Sequence, residues 1–405
     1  MNLLKLTMYK IHLTTLFVTT PLLCLGNWVS FRGPSGNGWI QDKVPPTIET
    51  NSAGSWVRNL PGRGLSSPII VNELALLTAS SGPKEQNLHI LAFSVKDGKL
   101  VWERKFKATG RTICHKKTCV AAPTMVSDGK VVIAQFSSND LFCLDLQGGL
   151  KWIRGLTFDY PNIANGLGMS SSPVLAGGVL ISQVENDADS FAFGINLESG
   201  STLWRKNRPR GANWTSPIVL TKESTQWVGL QSKKGLTFLD PLTGESLWDF
   251  SGGASTIPSS AICANNSILV PSNGLTAFNE PMQNEATALK WKNNKLAPGT
   301  GSPSVTGNRL FVVNKANVLT CASIENGEII WRLRLEGPVS ASPICTDEHV
   351  FVFSENGLCQ VVEIGEKEGK IVKTLALEDT ILCTPAAHNG SIYVRSDKNI
   401  WKLSP

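Results

Sequence analysis

Long runs of one charge are missing from this chain of 405 residues. Its 38 lysines and arginines face 32 acids and are spread along the sequence, so the basic stripe that nucleic-acid binding needs has no support. Tyrosine is scarce, 3 against 12 tryptophans, and that bias asks for a repeated packing slot. The Gly-x-Ser-x-Gly elbow, the His-Glu-x-x-His pair and the phosphate loop are absent. Hydrolase, zinc-protease and nucleotide chemistry therefore lack a sequence basis. His89, His349 and His388 stand alone in strand or turn contexts. What is present, 41% apolar and 17% charged residues, suits a folded protein rather than a disordered one.

Residues 1–26 read as an export signal. Lys5 and Lys10 give a basic start, Ile11 to Leu25 is apolar without an acid, and Cys24 and Gly26 place small residues for cleavage after Gly26. Met8 is an alternative start. A membrane anchor is the competing reading, but about fifteen apolar residues is short for a span. Lipid attachment at Cys24 is disfavoured by Leu23. Cleavage lowers the net charge from +6 to +4 and leaves eight of the nine cysteines. Cys114 and Cys119, around a basic insert, are then the candidates for a local disulfide. Zinc binding there needs two more ligands, which His115 alone does not supply. The other six cysteines sit in apolar strand-like runs and are expected to be buried small side chains.

One phrase recurs. Ser/Thr-Pro opens an apolar run at Ser67, Ser172, Ser216, Ser302, Ser342 and Thr384, with Ala122-Pro123 and Ser260-Ala261 as worn copies, about 40 to 55 residues apart. Each run breaks once at polar or Gly residues, as two strands and a tight hairpin do. A third strand follows, then a turn glycine four residues before a tryptophan. The pairs are Gly98 and Trp102, Gly148 and Trp152, Gly200 and Trp204, Gly244 and Trp248, Gly327 and Trp331. Unit five keeps Trp291 without its turn, and unit seven puts Lys373 after Gly369. Four strands per unit at this period predict an all-β, eight-bladed propeller. Unit eight lacks its last strand, and Trp56 in "SWVRNLPGR" is expected to supply it and close the ring, removing free edges. The predicted organisation is a signal peptide at 1–26 and one propeller domain at 27–405, with 27–64 as its lead-in and closing strand.

This pattern resembles the pyrroloquinoline-quinone-like, or quinoprotein-dehydrogenase-like, propeller repeat of exported bacterial proteins. The opening "WVSFRGPSGNG" (Trp28 to Gly38) and "NWTSP" (Asn213 to Pro217) resemble motifs of the same family. The resemblance implies two functions, because a fold does not fix an activity. One is a non-catalytic binding or scaffold propeller of the periplasm or cell envelope, with an envelope protein or peptide as partner and no cofactor. It is expected to be a monomer, and peripheral membrane association is compatible with it. The other is a periplasmic dehydrogenase using pyrroloquinoline quinone and Ca²⁺ to oxidise an alcohol or sugar. The vicinal cysteine pair and long inserts usual in such enzymes are lacking here. The scaffold reading is therefore preferred.

Ligand-binding candidates at the channel mouth are Arg32, Arg63, Asn213 and Trp214. The one acidic cluster with Ca²⁺-type oxygens is Glu185, Asn186, Asp187 and Asp189, read first as a solvated hairpin turn. The basic stretches Arg111 to Lys117 and Arg205 to Arg210 are candidates for an acidic partner. Trp102, Trp152, Trp204, Trp248, Trp291 and Trp331, with Gly98, Gly200, Gly244 and Gly327, are assigned to structure.

Overall fold

Eight four-stranded antiparallel sheets follow one another around an axis. The computed structural model describes residues 27–405 apart from 164–165, 258 and 281–288. The expected signal peptide and most of the unit-five insert thus lie outside the described residues. Blade 1 runs from Ile69–Val71 through Leu74–Ser81 and Asn87–Ser94 to Leu100–Lys107, inner strand to outer. Blades 2 to 7 repeat that order in sequence. Blade 8 is Ala386–His388, Ser391–Arg395 and Asn399–Leu403, completed by Trp56–Asn59. Trp56 faces Lys402 and Asn59 faces Asn399 in antiparallel register, so the ring is closed by the N-terminal segment as expected.

Local chemistry sets each blade. The hairpin after the inner strand has both central residues at positive φ in Asn72-Glu73, Gly177-Gly178, Asn265-Asn266 and Asn389-Gly390, the two-residue turn that matches strand twist. The turn before the outer strand is closed by an Asp or a similar acceptor. In blade 4, Asp240 Oδ1 accepts the N–H groups of Leu242 (2.7 Å) and Thr243 (3.2 Å), while Gly244 sits at φ +72.

In blades 1 to 7 the outer strand then bulges one residue before its tryptophan, or before Lys373 in blade 7. Ala92 pairs with Trp102 but Phe93 with Leu100, and the same shift recurs at Trp152, Trp204, Trp248, Trp291, Trp331 and Lys373. The indole docks on the next blade. Trp204 lies over Gly244, where a Cβ would come within 2.6 Å of the ring, and its Nε1 donates to Pro241 O at 2.8 Å. Trp56, Trp102, Trp152, Trp291 and Trp331 dock likewise on Gly98, Gly148, Gly200, Gly327 and Gly369. Trp248 is buried, and the segment that follows the third strand of blade 5, residues 281–288, lies outside the described residues. In blade 7 the lysine changes the chemistry, and Lys373 Nζ pairs with Glu49, which leads into the closing strand. Between blades the sheet faces bury apolar side chains of both neighbours, so each sheet's faces are covered only by the ring.

Candidate functional site

The Ser/Thr positions do more than start strands. The N–H of Ser67 donates to Thr124 Oγ1 (2.9 Å), Thr124 N–H to Ser172 Oγ (3.0 Å), and Ser172 to Ser216 (2.9 Å). The chain of bonds continues from Ser216 to Ser260, Ser302, Ser342 and Thr384 at 2.8 to 3.0 Å. This belt stitches blade to blade around the axis. It also corrects the sequence reading of two worn copies. Blade 5 loses the proline but keeps the hydroxyl of Ser260, and blade 2 supplies Thr124, two residues beyond Ala122. What each copy retains is the hydroxyl, because a buried N–H must find an acceptor.

The belt rims a cavity of about 400 Å³ at the strand-start end of the axis. Its walls include Leu65, Leu167, Trp214, Ile257, Leu382 and, from below, Phe31. The connector from blade 1 to blade 2 arches along this mouth, carrying His115 and Lys117 to the lining. Arg63 holds its base, donating from Nη1 to Thr118 O (2.8 Å) and from Nη2 to Lys116 O (3.0 Å) while pairing with Asp397 (3.1 Å). Its tip latches onto blade 7, where Lys117 Nζ meets Glu355 Oε1 at 2.9 Å and Ser340 Oγ donates to the same carboxylate at 2.6 Å. Burial pushes the Glu355 carboxyl up, but the Ser340 hydroxyl and the Lys117 charge outweigh it and hold the group below its ordinary range.

The four ligand candidates do not converge. Trp214 alone lines the mouth, fixed by Nε1 donating to Gly168 O at 3.0 Å. Arg63 is a rim staple. Asn213 is buried beneath, donating to Glu185 Oε2 (2.9 Å) and Gln231 O (2.7 Å). Arg32 belongs to the opposite end of the axis, with positive φ and a guanidinium that donates to Pro303 O. Its Nε has no partner, and burial lowers its pKa to about 9, which still leaves it protonated at neutral pH.

The acidic cluster is split between a buried ion pair and a solvated tip, with Asp187 exposed. Glu185 is buried and meets Arg208 Nε at 2.7 Å, and Asp189 meets Arg205. Burial raises the Glu185 carboxyl, with Arg208 and Asn213 acting against it. The same contacts engage Arg205 and Arg208, and Arg205 also stacks over Phe191 at 4.4 Å, while Arg210 stays exposed. Among the described residues no group of three His, Cys, Asp or Glu is placed to hold a metal ion. Glu185 and Asp189 are tied to arginines, the Asn186 amide bonds backbone groups and Asp187 is exposed, so these oxygens do not converge as a Ca²⁺ site would need. Cys114 and Cys119 are free thiols, so the expected bridge between them is not formed. Cys114 Sγ instead lies 3.6 Å from Ser137 Oγ, and Cys119 is buried. Of the six strand cysteines five are buried and Cys263 is partly exposed.

Sequence reasoning missed Glu355 and Ser340, because their partner in the latch is 238 residues away from Glu355 in the chain. It also missed exposed apolar side chains on the connectors of the mouth. Phe158 is 77% exposed on the short helical turn Leu156–Asp159, and Ile113 and Leu167 are exposed on the same two connectors. The two connectors that carry them are joined by His115 N–H donating to Leu167 O at 2.9 Å.

The blades, bulges and docked indoles define a propeller of pyrroloquinoline-quinone-like repeats. The family model described as Outer membrane protein assembly factor BamB matches residues 50–165 and 272–398, more than half of the chain, and the chain belongs to that family. A protein of that name from Legionella pneumophila is 23% identical over 248 residues, 60% of this chain and 50% of the relative. The match thus spans half the length of that relative. The crystal structure of BamB from Moraxella catarrhalis superposes with a TM-score of 0.64 at 15% identity, covering 86% of this chain and 96% of that one. The quinohemoprotein alcohol dehydrogenase from Comamonas testosteroni gives 0.70 at 12% identity, covering 93% and 80%. At such identities the two structures show the fold alone.

Proposed function

We propose that the protein is an exported, non-catalytic propeller of the cell envelope that holds a protein or peptide partner on its mouth face. The observation that carries this reading is the exposure of Ile113, Phe158 and Leu167 on the two connectors joined at the mouth. Exposed large apolar side chains grouped on one face mark interaction sites. Arg111 and Lys116, on the same connector as Ile113, are exposed, which favours a partner with an apolar anchor and acidic surroundings. The names of the relatives support a scaffold role in outer membrane protein assembly. In this reading the chain acts as a monomer without a cofactor, and peripheral membrane association is compatible with it. No helix among the described residues is long and apolar enough to cross a membrane.

A photo-cross-linking residue at position 158, placed in the exported chain, tests the proposal. One dominant envelope-protein adduct, lost when Ile113 and Leu167 are changed to Asp, is the expected result. Adducts no different from those at a position on an outer strand would defeat it. The dehydrogenase reading predicts quenching of Trp214 fluorescence on titration with pyrroloquinoline quinone and Ca²⁺, followed by dye-linked alcohol oxidation. Turnover in that assay would replace the scaffold reading.

A further inference from the structure

Residues 28–40 close the hairpin end of the axis from one side only. They pair with the inner edge of blade 1, where Trp28 and Ile70 exchange N–H to O bonds of 2.9 Å. Ser127 of blade 2 donates to Val29 O at 3.0 Å. Cys345 of blade 7 accepts from Ile40 N at 2.7 Å and donates to Gly38 O at 2.9 Å. The inner strands of blades 3, 4 and 5 receive no backbone bond from this segment. Burial records the asymmetry. Ile70, Ile344 and Cys345 are sealed, whereas Val174, Leu175, Val219 and Cys263 stay partly exposed.

A crevice of about 440 Å³ lies between the segment and the three uncovered strands. Val174, Ile218 and Leu220 form one wall, and Phe31 and Pro34 the other. Glu280 also lines it, and its carboxylate has no hydrogen bond or ion pair among the described residues. Burial pushes that carboxyl up, with the Lys222 charge opposing. An acid kept in a half-buried apolar setting without a partner gains most from an incoming cation.

We propose that this crevice binds an extended peptide that adds a strand to the inner edge of blade 4, Ile218–Lys222, and carries a lysine or arginine to Glu280. The protein's own lead-in shows the mode at two points, since Trp28 and Trp39 make single β-bridges with the equivalent edges of blades 1 and 7. Blade 4 offers a five-residue inner strand against two or three in the other blades. Backbone bonds along the edge supply affinity, and alternate side chains supply selection. Ile218 and Leu220 lie on the face of blade 4 that packs toward blade 5, so apolar residues two and four positions from the basic one share that wall with it.

The test uses the full chain and a fluorescein-labelled peptide Ser-Val-Ser-Val-Ser-Lys-Ser, read by anisotropy. Saturable binding is expected, weakened by about tenfold or more in Glu280→Gln and by a Glu-for-Lys peptide, and abolished when alternate peptide amides are N-methylated. The mouth variant Lys117→Glu is expected to bind the peptide unchanged, so this site stands or falls apart from the mouth partner. No saturation by about 1 mM, or unchanged affinity in Glu280→Gln, would overturn the proposal. Equal binding of the N-methylated peptide would overturn the strand addition.

Discussion

At the residue scale, Gly244 shows how one position serves two blades. Its φ of +72 closes the turn of blade 4, and its bare Cα admits the indole of Trp204 from blade 3. An alanine there meets strain in the backbone and a ring atom 2.6 Å away. Gly244→Ala is therefore expected to cost about 2–4 kcal/mol, read as a lowered midpoint in urea with an unchanged slope. A cost below about 0.5 kcal/mol, the level of an ordinary surface change, would mean that the docking is loose. The turn glycine and the tryptophan are legible in the sequence because their spacing repeats. That the indole lands on the following blade's glycine is not, since nothing local to either residue encodes the neighbour. Arg32 and Asn213 look like site residues for the same reason, as conspicuous polar groups whose backbone partners lie far along the chain.

Elements carry the polar interior, and two of them give opposite responses. The Glu185–Arg208 pair, at 2.7 Å, ties the second strand of blade 3 to the end of its outer strand, with both side chains nearly sealed. Removing one partner leaves a buried charge uncompensated, so Arg208→Ala is expected to lose about 3–5 kcal/mol. Adding Glu185→Gln should recover part of that loss in a double-mutant cycle, and the absence of any recovery would assign Arg208 to packing alone. The connector latch is exposed and responds to pH instead. Because folding lowers the Glu355 pKa from its ordinary 4.5, the latch contributes above that value and is lost as pH falls through the folded value. Amide exchange of residues 111–118 should thus accelerate, beyond its intrinsic pH trend, only below about pH 4.5. Glu355→Gln should remove the step, and a step that persisted in this variant would place the switch elsewhere. The connector from blade 1 to blade 2 was visible in the sequence as a basic insert, Arg111 to Lys117. Its latch was not, because Glu355 sits in a turn that resembles every other turn of the repeat.

The whole molecule is held by closure, and that is where the sequence spoke most clearly. A last unit without its outer strand and a spare tryptophan before the first unit predicted the pairing of Trp56–Asn59 with Asn399–Leu403. The seven copies of the bulge and the hydroxyl belt were hidden, since both are relations between strands rather than patterns within one. Blade 7 adds a second tie, as Lys373 reaches Glu49 in place of an indole docked on a turn glycine. The two ties make residues 49–59 the clasp of the ring. A chain beginning at residue 60 loses the clasp and bares the edge of Asn399–Leu403, together with the slot over Gly98 that Trp56 fills. Unpaired edges seek other chains, so this truncation is expected to elute as concentration-dependent oligomers and to melt at least about 5 °C lower. Supplying residues 44–60 as a synthetic peptide should restore the monomer by mass action. A truncated chain that stayed monomeric with an unchanged melting temperature would show that the belt and the remaining five docked tryptophans close the ring by themselves.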